Sequence, residues 1–141
     1  MDSLPAAARL TAAAFIALLS ARLAVWRTPF AQLVRGYGVV GRDAPPAALP
    51  PGQQHAADRV AAAVVRAADP FGPLANCLVR CFAAATLLRR YGIPYTIYCG
   101  ASPATPGKLD GHAWLRAGTI TIGAAPAGSR FTVMLTIHYI P

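Results

Sequence analysis

The chain has 141 residues, enough for one domain with a real core. Apolar residues make up 55% of it, much of that alanine, so the core is expected to be small-residue helix packing with a few large anchors. The formal charge is +8, but every basic residue except Lys108 is an arginine, and the arginines are scattered with no aromatic-interleaved run, which argues against nucleic-acid binding.

No glutamate occurs, so any carboxylate chemistry must draw on Asp2, Asp43, Asp58, Asp69 or Asp110. Cys77, Cys81 and Cys99 form no even, dense framework, which points to a reducing, cytoplasmic setting rather than secretion. Cys77 and Cys81 are spaced CxxxC, but no further ligand stands at a zinc spacing, so no metal and no cofactor is expected.

Residues 5–35 read as one long helix or two shorter ones, with Pro29 as the break. Leu10 to Ala21 is an apolar run of about 12 residues between Arg9 and Arg22, short of the roughly 20 that a bilayer span needs. No n-region or cleavage site accompanies it, so it is not read as a signal peptide. Phe15, Leu19, Arg22 and Trp26 recur at helical spacing, and Leu18 and Val25 widen the apolar side. The favoured reading is a core or docking helix; the alternative is a helix for a partner or a membrane surface, with Arg22 and Arg27 snorkelling.

Gly36 to Gly52 collects Gly, Pro and Ala and reads as a surface connector. Ala56, Val60, Ala63, Val64 and Ala67 then mark a helix face that ends near Asp69-Pro70. The next helix is expected from Asn76 to Tyr91-Gly92, with Gly92 as C-terminal cap and Arg89 and Arg90 complementing the dipole in its last turn. Tyr95–Cys99, His112–Arg116, Thr119–Ile122 and Phe131–Ile140 read as strands between glycine-rich turns. Helices first and strands last predict an α+β fold with an antiparallel sheet. Residues 1–52 are expected to form a helical segment and connector, and 53–141 the core, together one compact unit.

Cys77 and His112 carry the chemistry. Asn76 is a good N-cap, which makes Cys77 the first helical residue. There the unpaired N–H groups and the helix dipole favour a thiolate, and an imidazole can stabilise it and later protonate a leaving amine. The following residues offer backbone donors to an oxyanion. Cys81, one turn on, reads as packing, and Cys99, in a strand of large apolar residues, as core. His55 and His138 read as structural or exposed. His112 differs, because Gly111 permits close approach and Trp114 lies two residues on, on the same strand face.

Cys77-Leu78-Val79-Arg80-Cys81, then Leu87-Leu88-Arg89-Arg90-Tyr91-Gly92-Ile93-Pro94, a strand ending at Gly100, and His112-Ala113-Trp114 before a hairpin at Gly118 and Gly123 follow one another in order. Over roughly residues 70–137 this order resembles the lasso peptide biosynthesis B proteins, transglutaminase-like cysteine proteases. The resemblance implies a transglutaminase-like, papain-like core. It implies a cysteine endopeptidase that removes the leader from a ribosomally made precursor peptide, using Cys77 as nucleophile and His112 as general base and acid. The implied partners are the precursor peptide, a separate leader-recognition protein and an asparagine-synthetase-like cyclase. The family places an aspartate shortly after the hairpin, but the segment Gly123 to Ser129 has no carboxylate. Asp110 is a stand-in third member, although its place beside Gly111 also suits a turn residue. The other orienters for His112 are a backbone carbonyl, an amide or water, and the other reading of the whole chain is a catalytically weak or inactive scaffold that binds the precursor or the synthetase.

Overall fold

A computed structural model describes residues 6–41, 48–105, 108–123 and 132–141, and for residues 102–105 and 108–110 the backbone alone. Helix α1 (Ala6–Arg27) is followed by α2 (Phe30–Arg35), strand β1 (Val39–Gly41), α3 (Pro51–Ala68) and a 3-10 turn (Asp69–Leu74). Then come α4 (Cys77–Arg90) and strands β2 (Tyr95–Thr105), β3 (Lys108–Ala117), β4 (Ile120–Ile122) and β5 (Thr132–Tyr139). The strands form one antiparallel sheet in the order β1-β5-β2-β3-β4. The expected α+β class is what is found.

The breaks follow the prolines. Pro29 takes the N-cap position of α2, Pro51 is the first residue of α3, and α3 stops at Ala68, two residues before Pro70. Helix α4 closes on Gly92, whose φ of 66° lies in the left-handed region that glycine adopts freely. The Gly92 N–H reaches the Arg89 carbonyl and the Ile93 N–H the Leu88 carbonyl, so the last turn is satisfied and the chain is turned into β2.

The core is built as the composition implies. Ala14, Ala17 and Ala21 of α1, Ala57, Ala63 and Ala67 of α3, and Ala83, Ala84 and Ala85 of α4 are buried, so the three helices approach closely. Phe82, Leu87 and Leu88 anchor α4. The sheet offers its apolar row to α4: Ile97 pairs with Leu115 and with Ile137, Leu115 pairs with Ile122, and all four are buried.

Two expectations are corrected. Helix α1 is a core helix, but it buries Leu10, Ala14, Ala17, Leu18 and Ala21, while Phe15, Leu19 and Trp26 stay exposed. The stretch from Gly36 to Gly52 is not wholly a connector, because Val39–Gly41 pair with Thr136–His138 and make β1 an edge of the sheet. Gly38 is required at that entry, since a Cβ there would stand 2.6 Å from the His138 carbonyl oxygen. Arg89 holds the same corner: its guanidinium donates to the Gly36 carbonyl at 2.6 Å and covers the Tyr139 ring at 4.8 Å.

Candidate active site

Asn76 is the N-cap of α4, and its side-chain oxygen accepts the Val79 N–H at 3.0 Å. The Asn76 carbonyl accepts the Arg80 N–H, and the Arg80 guanidinium donates back to the Ala75 carbonyl at 2.7 Å. The helix therefore begins at a fixed point, and Cys77 is its first residue. Among the described residues nothing takes the N–H groups of Cys77 and Leu78, the first-turn donors that face the start of the helix.

Strand β3 brings His112 to the same place. The Cys77 sulfur accepts the backbone N–H of Ala113 at 3.4 Å, so the residue after the histidine is bonded to the thiol. Cys77 and His112 line one cleft of about 460 Å³, with Asn76, Leu78, Cys99 and Phe30 around them. Gly100 and Gly111 also border it, and they lie across β2 and β3 at the His112 level, where the absence of side chains leaves backbone open to a ligand. The β2–β5 register shifts beside Gly100, with Met134 as the extra residue of β5, so the sheet bends next to the cleft.

The Gly123 carbonyl and the Trp114 ring both hold the histidine ring. His112 Nε2 lies 2.5 Å from the Gly123 carbonyl oxygen. A carbonyl can only accept, so Nε2 carries the proton, and Nδ1 is the basic nitrogen of the neutral ring. The ring also lies over Trp114, with centroids 6.0 Å apart, and Trp114 stacks in turn on Tyr98 at 5.6 Å. The expected shared face of His112 and Trp114 is therefore seen. Gly123 supplies its carbonyl from a left-handed conformation, φ 76°, just after β4.

The other sulfurs are placed differently. Cys81 is fully buried beneath the site, its sulfur 4.0 Å from the Ile122 carbonyl oxygen. Burial pushes its thiol well above the ordinary range, and negative charge on Cys77 or Cys99 would push it further. Cys99 is a correction: it is half-buried and borders the cleft rather than lying wholly in the core. Burial, and then the nearby Cys77, raise its thiol to about 11. Among the described residues no group of three His, Cys, Asp or Glu gathers as a metal site.

The remaining candidates lie on β3, α3 and β5. Asp110 is on β3 opposite Ser102, and its side chain lies outside the described residues, as do residues 124–131 of the segment after the hairpin. His55 is exposed on α3, and His138 Nδ1 lies 2.9 Å from the Thr96 hydroxyl. Two parts of the site were not anticipated as such. Phe30 arrives from α2, far from the motif, and carries no sign of it in sequence. The Gly123 carbonyl is backbone, one of several orienters the sequence leaves open.

Comparison with curated proteins and with solved structures finds no match. A family description, the transglutaminase-like superfamily, matches residues 15–136, from within α1 through the cysteine helix and β2–β4 into β5. With a cysteine opening a helix, a histidine on the facing strand and this match over most of its length, the chain belongs to the transglutaminase-like superfamily.

Proposed function

We propose that this protein is a cysteine endopeptidase that removes the leader from a ribosomally made lasso-type precursor peptide. The observation that carries the reading is the single cleft holding Cys77 at the start of α4 and His112 on β3, with the Ala113 N–H on the sulfur. The superfamily supports the protease class, and the motif order from Cys77 to Trp114 supports the lasso substrate.

In this reading His112 Nδ1 takes the thiol proton of Cys77, and the sulfur attacks the scissile carbonyl carbon. First-turn N–H groups of α4 bind the oxygen as it gains charge. The tetrahedral adduct collapses, the C–N bond breaks, and the imidazolium gives its proton to the leaving amine, which is the new N-terminus of the core peptide. Water, deprotonated by His112, then attacks the thioester, releasing the leader as a carboxylate and restoring the thiol. The Gly123 carbonyl holds the imidazole in the tautomer that the first step needs. A separate leader-recognition protein presents the precursor, and a cyclase consumes the freed amine.

The test is incubation with the precursor and its recognition protein, followed by mass spectrometry. Release of the leader that Cys77→Ala abolishes is expected. Release that persists in Cys77→Ala would sink the reading. A second reading is favoured by the absence of any carboxylate from Gly123 to Ser129: a protease-fold scaffold that binds precursor or synthetase without cutting. It would be recognised by tight precursor binding with no thioester trapped and no cleavage.

A further inference from the structure

Helix α1 has two apolar faces of opposite character. The inner face is small, with Ala14, Ala17 and Ala21 among its buried residues. The outer face holds Phe15, Ile16, Leu19, Leu23 and Trp26, all exposed, with Ile16 62% and Trp26 73% open to solvent. At about 3.6 residues per turn these five fall within an arc of roughly 100°. Arg22 borders one edge of the arc, and Arg9 and Arg27 the other. The Arg27 guanidinium lies 5.8 Å from the Trp26 ring centroid. Large residues placed outward on the side away from the core are not explained by folding, since burying them would gain more than burying alanine.

We infer that this face seats the protein on an anionic lipid surface. The charge is complementary: from Ser3 to Arg42 there are five arginines and no acidic residue, within a chain of net charge +8. Arginines run along both edges of the arc and can reach headgroups while their stems lie on the apolar strip. A tryptophan stands at its C-terminal end, the residue type suited to the boundary between headgroups and acyl chains. Although the uninterrupted apolar run from Leu10 to Ala21 is short for a span, helix α1 as a whole, 22 residues, is long and apolar enough to cross a membrane by length and composition. However, its inner face packs on α3 and α4, so lipid cannot surround it, and it lies along the surface instead. Phe15 packs on Phe71 at 4.8 Å, and Phe30, exposed at the start of α2 three residues after α1 ends, borders the cleft that holds Cys77.

The test uses vesicles of phosphatidylcholine alone and of equal parts phosphatidylcholine and phosphatidylglycerol, in flotation and tryptophan fluorescence. Trp114→Phe leaves Trp26 as the sole reporter. Binding to the anionic vesicles should exceed binding to the neutral ones by about tenfold or more, with Trp26 emission shifted to the blue. Leu19→Asp should reduce binding about tenfold, and Arg22→Gln with Arg27→Gln should remove the preference for phosphatidylglycerol. Should Leu19→Asp fail to fold, Ile16→Ser at a more open position replaces it. No flotation with anionic vesicles overturns the proposal, and so does binding that Leu19→Asp or Ile16→Ser leaves intact. A lipid-free dimer that Leu19→Asp dissolves also overturns it, assigning the face to a second copy. None of these readouts depends on peptide cleavage.

Discussion

His112 donates from Nε2 to the backbone carbonyl of Gly123 at 2.5 Å, and the histidine is thus oriented by main chain. The bond sets the tautomer, which is what a third member of a cysteine–histidine site chiefly does.

Gly123→Ala tests that relationship. A Cβ at Gly123 would meet the Ala113 carbonyl oxygen at 3.0 Å, in a backbone conformation that alanine resists. The carbonyl must shift, and kcat should fall by about tenfold or more with KM little changed, since in the proposed reaction the ring acts in the chemical steps. Steady-state kinetics on the precursor, beside a thermal melt to confirm folding, checks it. A fall in melting temperature with unchanged kcat would show that Gly123 matters to the fold alone.

Thiol labelling should be selective. At neutral pH iodoacetamide should add once, at Cys77, because Cys81 is buried and the Cys99 thiol is held near 11. Intact-mass and peptide mass spectrometry would locate the adduct. Prior labelling of Cys99 would contradict the placement of the two sulfurs.

Stability should decline in alkali. The Cys99 thiol is raised from 9.0 to about 11 by burial, and Cys81, Tyr37 and Tyr95 are raised by burial too. Each is protonated in the fold where the unfolded chain would ionise, so the stabilisation is complete below the unfolded values and is lost as pH climbs through about 9 to 11. Melting temperatures across that range should fall, and Tyr95→Phe should flatten the slope.

Asn76→Ala removes the cap of α4. The lost bond to the Val79 N–H should cost about 1 kcal/mol, on the order of 4 °C in melting temperature for a chain of this size. Because Cys77 is the next residue, kcat should fall as well. Asn76→Asp and Asn76→Ser keep a capping oxygen and should restore most of both.

Much of this was legible in sequence because local chemistry wrote it there. Pro29, Pro70 and Gly92 bounded the helices, and Asn76 marked the start of α4 and hence the position of Cys77. What was hidden had physical reasons. Val39–Gly41 is too short to show alternation, and its partner lies at the far end of the chain. Periodicity showed that α1 has an apolar side, but scored its large residues and passed over the alanine face that packs inward. The Gly123 carbonyl belongs to no side chain, so composition carries no trace of it.

The position of β5 between β1 and β2 has a bearing on how the molecule comes together. The helices and the β2–β3–β4 meander can assemble from neighbours in the chain, and with them Cys77, His112 and Gly123. The open edge of β2 and the whole of β1 wait for residues 132–139. Until those arrive, an unpaired strand edge stands beside Cys99 and Gly100, a template for other chains. Loss of the final strand would thus leave Cys77 and His112 in place and make the protein sticky before it took the cleft apart.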